Sequence, residues 1–227
     1  GFSLKTQAGQ LSYETKLLKP QNIVEMLSSG SRDVGFAGAD WVRELKADLV
    51  ELLDTGMDPV SVVVAAPERL VKLIGEAGTP RTPWNKACGR NPIVASEYES
   101  LAREWMAEKL PEGVFIRSYG ATEVFPPEDA DIIIDNCATG STLKANGLVI
   151  METVMKSSTR LYASRQAMEN PAKKEAAEAL VLILRSVMEA RRRVMLEMNV
   201  EESKLENLIA ILPCLRSPTL SPLEGGK

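Results

Sequence analysis

The sequence predicts an α/β protein built as two lobes with a cleft between them. Three observations carry this. Short β-branched runs alternate with segments of helical periodicity, which favours parallel sheets flanked by helices. The alternation comes in two series, split by the segment GEAGTPRTPWNKACGR at 75–90, whose Gly, Pro and basic residues show no apolar period and read as a connector. The last third then changes to one long helical pattern.

Taken in order, TKLLKP is a short strand ending at Pro20, and PQNIVEMLSSG is a helix with Pro20 at its start and Gly30 past its end. DVGFAGAD at 33–40 is a buried strand running into a Gly-containing turn, with Asp40 as the N-cap of the next helix. PVSVVVAAP at 59–67 is a β-branched strand bounded by prolines. The second series opens with the strand NPIVAS at 91–96. Ser96 then caps a helix in which Tyr98, Leu101, Trp105 and Leu110 fall near one face. GVFIRSYG and DADIIID (129–135) are the remaining strands. Asn170 and Pro171 then cap and begin a helix reaching to about Asn199, with a stripe of Ala172, Ala176, Leu180, Ile183, Leu184, Val187, Val194 and Met198. At 1.5 Å per residue such a helix is roughly 42 Å long. Its Arg191–Arg193 run reads as a solvated face. A short helix at 202–212 and a Pro-rich extended exit close the chain. The expected lobes are 1–80 with 160–227, including the long helix, and 81–159.

Composition narrows the chemistry. The 227 residues are 44% apolar and 26% charged, ordinary for a soluble globular protein. A net charge of −4 gives no electrostatic case for nucleic acid, and no apolar run approaches the ~18 residues of a membrane span. No signal peptide is visible, and Cys88, Cys137 and Cys214 form no paired pattern, so the expectation is a reducing, cytoplasmic compartment. Histidine is absent. That removes histidine bases, Ser-His-Asp triads and histidine-ligated zinc, and leaves carboxylates, hydroxyls, Lys, Arg, backbone amides and Mg²⁺. No residue is assigned as a general acid or base.

The informative stretch is DNCATGSTLKANG at 135–147. Asp135 ends a buried strand, at the carboxyl edge where open α/β sheets bind ligands. ATGST turns the chain at once: Gly140 permits close backbone approach, and Thr139, Ser141 and Thr142 add hydroxyls. A helix opening there would add N–H groups and the positive end of its dipole. A carboxylate beside such a cradle suits a phosphorylated sugar, with Asp135 accepting from ribose hydroxyls and the turn holding a 5′-phosphate. A capped strand-to-helix turn with no ligand is the other reading of these residues.

DIIIDNCATGSTLKANGL (131–148) is similar to the phosphoribosyl-pyrophosphate motif of ATP phosphoribosyltransferase, the first enzyme of histidine biosynthesis. The segment at 17–42, LLKPQNIVEMLSSGSRDVGFAGADWV, resembles that family's first lobe. GATEVFPPEDADIIIDN (120–136) resembles its Gly-x-x-Glu stretch, and LENLIAILPCLRSPTLSPL (205–223) the close of its catalytic region. The resemblance implies two lobes like a type II periplasmic binding protein. It also implies attack of the adenine N1 of ATP on C1 of phosphoribosyl pyrophosphate, with pyrophosphate leaving, assisted by Mg²⁺ carried mainly on substrate phosphates. Such a displacement needs positioning and charge stabilisation more than acid–base chemistry. By the same resemblance Asp135, Ala138, Thr139, Gly140, Ser141, Thr142 and Glu123 bind phosphoribosyl pyrophosphate. Gly38 and Asp40 face the cleft from the first lobe or simply make a tight strand-to-helix turn, and Arg81, Lys86 and Arg90 of the connector either reach the pyrophosphate or are solvated loop cations. A homo-oligomer is expected, with a separate regulatory subunit as a further partner.

The chain departs from the family in three ways. The usual opening strand and its Lys/Gly turn have no counterpart before Gly1, Ala138 stands where the family often has Ser or Glu, and the chain stops at Lys227, where long forms continue into a histidine-binding domain. Two other function classes compete. One is a non-catalytic binding module on the same two-lobe scaffold. The other is a type I phosphoribosyltransferase, which carries two adjacent acidic residues where this chain has Ile134 and Asp135.

Overall fold

The computed structural model describes residues 3–8, 11–75, 83–212 and 219–222, and divides into two units, Gly1–Arg185 and Ser186–Lys227. In the first unit the elements run β1 (Ser3–Ala8), β2 (Leu11–Lys16), α1 (Pro20–Ser28), β3 (Val34–Gly38), α2 (Ala39–Glu44) and β4 (Val50–Pro67). They continue with α3 (Glu68–Ile74), α4 (Trp84–Cys88), β5 (Ile93–Ser96), α5 (Glu99–Lys109), β6 (Val114–Arg117) and a 3₁₀ turn at Thr122–Val124. Then come β7 (Ile132–Cys137), α6 (Ser141–Ala145), β8 (Leu148–Ala163), α7 (Arg165–Glu169) and α8 (Pro171–Arg191). The fold is mixed α/β, as expected.

β1 and β2 form a separate antiparallel pair, and the other strands form one six-stranded sheet in the order β3-β8-β4-β7-β5-β6. Only β7, β5 and β6 run parallel to one another; β3/β8, β8/β4 and β4/β7 are antiparallel. The wholly parallel arrangement expected from the alternation is corrected by β8, which the sequence did not disclose. β8 lies between β3 and β4 and pairs with both.

β4 is longer than the predicted 59–67 because it begins nine residues earlier, on the far side of an irregularity. Its pairing with β8 shifts register between Asp54 and Met57 and again before Val60. There Gly56 and Asp58 take positive φ values, 62° and 46°, and the Asp54 carboxylate accepts from the Gly56 amide at 2.8 Å and the Ser158 hydroxyl at 2.7 Å. Such bulges bend a strand and re-aim what it carries. β3 pairs with Thr159–Ala163 of β8, on one side of this bend, and β7 pairs with Ser61–Ala65 of β4, on the other.

Alternation along the central strands builds the core. Val62, Val64, Ala66, Ile132 and Ile134 face one side, where Trp41, Trp84, Tyr98, Leu101, Trp105 and Leu110 cover them. Val63, Ala65 and Ile133 face the other, against Leu143 and Leu148. A strand buried on both faces reads as a continuous apolar run, which is why PVSVVVAAP and DIIID were visible as strands.

Asn170 Oδ1 accepts from the Ala172 and Lys173 amides, so the predicted cap of α8 is in place. The side of α8 that is covered in the first unit carries Ala177, Leu180, Val181 and Leu184, while Leu182 and Ile183 are exposed. In the second unit the helix ends at Arg191, short of the expected Asn199. Val194 and Met195, at 90% and 93% exposure, bury nothing. A helical extension without a packed face gains no tertiary stabilisation. The expected helix at 202–212 is a 3₁₀ turn at Glu202–Lys204 followed by α9 (Leu205–Ile211).

Candidate active site

Strand β7 delivers Asp135 to its carboxyl end, where the chain leaves the sheet through a tight turn into α6. Gly140 takes φ 77° as the N-cap of α6, a left-handed conformation that a β-branched residue strongly disfavours. The turn is organised by its own hydroxyls, with Thr139 Oγ1 and Ser141 Oγ 2.9 Å apart. α6 has only five residues, so its dipole is small, and an anion there would be held by first-turn N–H groups and hydroxyls. A cavity of about 290 Å³ opens over this turn, lined by Glu123 and the run Asp135–Leu143. The structure thus brings Asp135, Ala138, Thr139, Gly140, Ser141, Thr142 and Glu123 to one cavity.

Burial pushes the Asp135 carboxyl up to about 6, opposed by bonds from the Asn136 amide and the Thr122 hydroxyl and reinforced by the carboxylates of Glu97 and Glu123. Asn136 N–H donates to Asp135 Oδ1 at 2.7 Å. Thr122, fully buried, also shares a 2.8 Å hydrogen bond with Ser118. A half-buried carboxylate among other acidic groups is poised to accept hydroxyl donors or to meet a cation brought with the ligand.

The first-lobe and connector candidates are placed differently. Asp40 lies inside α2 and is not its N-cap; Gly38 holds that position. Asp40 is 4% exposed, and both its oxygens are taken: Ser157 Oγ donates to Oδ1 at 2.6 Å and Tyr98 Oη to Oδ2 at 2.7 Å. A Cβ on Gly38 would come within 2.1 Å of Asp40 Oδ1, so glycine is what lets the turn close over this carboxylate. Lys86 is exposed on α4. Arg90 pairs with Asp131 at 2.6 Å, just before β7 and so at the opposite end of that strand from Asp135. Arg81 lies outside the described residues. Ser96 does not cap α5. It accepts from the Tyr98 amide and donates to the Ile134 carbonyl, while Glu44, reaching across from α2, accepts from the Ser100 and Leu101 amides at 2.9 and 3.0 Å.

Sequence reasoning missed Asn136, Cys137 and Leu143 in the cavity lining. For Asn136 the signal was available, since it directly follows the carboxylate. It also missed Tyr98, whose ring stacks on Trp41 at 4.6 Å between centroids and whose hydroxyl accepts from Asn136 Nδ2 at 3.1 Å. Burial and the neighbouring Asp40 carboxylate push the Tyr98 phenol above its ordinary value, which keeps it a donor. Among the described residues no three His, Cys, Asp or Glu side chains converge on a metal position. Magnesium needs only one or two carboxylates when substrate phosphates supply the remaining oxygens, and Asp135 and Glu123 offer that hard-oxygen chemistry. No helix among the described residues is long and apolar enough to cross a membrane.

Known proteins resemble this chain closely enough to assign its family. The profile of the family described as ATP phosphoribosyltransferase (HisG) matches residues 19–186. A second profile, HisG, C-terminal domain, matches 190–227. The ATP phosphoribosyltransferase of Chlorobium luteolum is 36% identical over 215 residues, covering 92% of this chain and 69% of that protein. That of Pelotomaculum thermopropionicum is 33% identical, covering 92% and 71%. The fold is shared with the solved ATP phosphoribosyl transferase (HisG:HisZ) complex of Thermotoga maritima, with TM-score 0.66, 20% identity, and coverage of 82% of this chain and 88% of that one. The profile match and the two relatives together show that the chain belongs to the ATP phosphoribosyltransferase family, pentosyltransferases of histidine biosynthesis.

Proposed function

We propose that the cavity at the end of β7 is where this chain holds phosphoribosyl pyrophosphate for condensation with ATP. The observation that carries the reading is the shared lining: one half-buried carboxylate and a hydroxyl-rich glycine turn face the same cavity. Asp135 accepts from the ribose hydroxyls, and the turn from Ala138 to Thr142 holds the 5′-phosphate through amides and hydroxyls. Glu123 lies across from Asp135 and contacts ribose or the cation. With the ribose fixed at both ends, C1 is presented to the adenine N1 and no protein base is needed, which a chain without histidine can accommodate. Mg²⁺ bound with the pyrophosphate would neutralise the leaving group.

Gly38 and Asp40 support this site through the back of β7, since the Asp40 carboxylate is already engaged by protein groups. A direct role for Arg81 or Lys86 at the pyrophosphate remains part of the proposal; Arg90 pairs with Asp131 at the other end of β7, which supports a role for it less. The lobe division, 1–80 with 160–227 against 81–159, stays a proposal from the family resemblance; Ser61–Ala65 of β4, inside the first range, pair with β7 in the second, so β4 runs through both. The Thermotoga maritima neighbour is a complex with a second protein, and by that precedent a separate regulatory subunit is proposed as a partner; a homo-oligomer in the cytoplasm is proposed from the family resemblance alone.

Incubating the purified chain with ATP, phosphoribosyl pyrophosphate and Mg²⁺ tests the reading. A new ultraviolet-absorbing adduct with stoichiometric pyrophosphate is expected. A folded chain that releases no pyrophosphate and does not bind phosphoribosyl pyrophosphate in calorimetry would refute it.

A further inference from the structure

Asp135 and Asn136 are consecutive on β7, so their side chains leave the sheet on opposite faces. Asp135 lines the cavity. Asn136 borders the cavity too, but its side-chain Nδ2 turns to the other face of the sheet, where it donates to Tyr98 Oη at 3.1 Å. Tyr98 is fully buried, stacked on Trp41, and donates its hydroxyl hydrogen bond to Asp40 Oδ2 at 2.7 Å. Asp40 is fixed in turn by Ser157, which donates to its carboxylate at 2.6 Å and accepts from its amide at 3.1 Å. The chain Ser157–Asp40–Tyr98–Asn136 therefore runs from the bent middle of β8, through α2, to the residue whose main-chain N–H bonds Asp135 Oδ1.

We infer that Tyr98, acting through Asn136, is a positioning residue for the phosphoribosyl pyrophosphate site. It anchors the carboxyl end of β7 from behind and so holds the Asp135 carboxylate in its bound orientation. This rests on the reading of Asp135 as the ribose acceptor. Asn136 is the joint: its amide side chain belongs to the buried network and its peptide N–H to the ligand carboxylate. Without the Tyr98 hydroxyl the Asn136 side chain loses its buried partner, and the peptide that orients Asp135 is held only by the strand. A purely structural knot would behave differently. Asn136 is an exposed side chain that covers no core, so a structural contribution from Tyr98 would not pass through it.

The test is a double-mutant cycle of Tyr98→Phe and Asn136→Ala, with calorimetric affinity for phosphoribosyl pyrophosphate in Mg²⁺ and Tm as readouts. Phe keeps the ring and its stack on Trp41. Each single variant is expected to bind about tenfold more weakly, Asn136→Ala at essentially wild-type Tm, and the double variant no more weakly than the poorer single one. Wild-type affinity in either single variant overturns the inference. So does a double variant whose loss is the product of the two, which would mean that Asn136 meets the ligand independently of Tyr98. If Tyr98→Phe is too unstable to titrate, Ser157→Ala, at the far end of the same hydrogen-bond chain and outside the cavity lining, replaces it in the cycle with the same supporting and overturning outcomes. Asp135→Asn, measured alongside, separates the two levels: no effect there sinks the ribose reading itself, whereas an effect there without one in Tyr98→Phe sinks only the positioning role.

Discussion

The phosphate turn and the polar network behind β7 differ in how they are made. The turn is one contiguous stretch, mostly exposed, with its hydroxyls bonded to near neighbours such as Thr139 and Ser141. The network collects Asp40, Tyr98, Asn136 and Ser157 from four segments, through hydrogen bonds spanning 38, 58 and 117 residues of chain. The groups offered to a ligand are local and accessible. The groups that aim them are buried and long-range, where an unsatisfied polar atom is costly and each bond is therefore more constraining. Substitutions in the first region should change binding at little cost to stability, and those in the second should change stability as well.

Gly140→Val should have the largest effect. Position 140 takes a positive φ, and a branched side chain there both strains the turn and blocks the anion. Its Cβ meets nothing nearer than Cys137 Sγ at 3.8 Å, so the sheet is undisturbed. We expect at least hundredfold weaker binding of phosphoribosyl pyrophosphate in calorimetry, with Tm lowered by only a few degrees. Full affinity in a folded variant would erase the distinction between the regions.

Asp135→Asn comes next, with at least a tenfold loss in kcat/KM, since each charge-assisted bond contributes about 1.5–3 kcal/mol. Its pH dependence sharpens the point. With the carboxyl raised from 3.8 to about 6, affinity should fall as pH drops through about 6, because the neutral acid is the poorer acceptor. The stability of the unliganded chain should follow the opposite slope. A raised carboxyl favours the folded state below its ordinary value, and that contribution is lost as pH rises through the folded value near 6. The sugar phosphate also titrates near pH 6, so the quantity to compare is the difference between wild type and Asp135→Asn across pH 5 to 8.

Gly38→Ala probes the buried region. Its Cβ would overlap Asp40 Oδ1, which Ser157 and Tyr98 hold in place, and crowding of a packed site costs about 1–3 kcal/mol. Denaturant unfolding should show that loss; an unchanged midpoint would mean that Asp40 moves freely. Glu44→Gln is the smallest. It keeps one acceptor for the two amides that begin α5, and about 1 kcal/mol of stability should disappear without any change in ligand affinity.

The same contrast explains what could be read from the residues alone. The strand DIIID and the turn ATGST were visible because a run buried on both faces and a glycine flanked by hydroxyls are local signatures. Asp40 was misplaced as a cap because GFAGAD looks like any strand-to-helix turn; only tertiary packing shows that its partners are Tyr98 and Ser157. Tyr98 reads as one apolar member of a helix face until its hydroxyl is located. β8 was overlooked because its alternation is broken: Glu152, Lys156 and Arg160 interrupt the pattern, and its register against β4 shifts repeatedly. Nothing local signals that Arg90, a connector cation expected near the pyrophosphate, pairs with Asp131.

The position of β8 also sets the order in which this chain can fold. It is the shared neighbour of β3 and β4, yet it comes long after both in the chain; the bond from Thr55 to the Thr159 carbonyl closes a loop of 104. Loop closure on that scale slows folding, because its entropy is lost before any contact compensates. On the ribosome, β3 and the valine-rich half of β4 must wait as open edges until residues 148–163 have emerged. For most of its synthesis, then, the nascent chain offers strand edges whose proper partner does not yet exist.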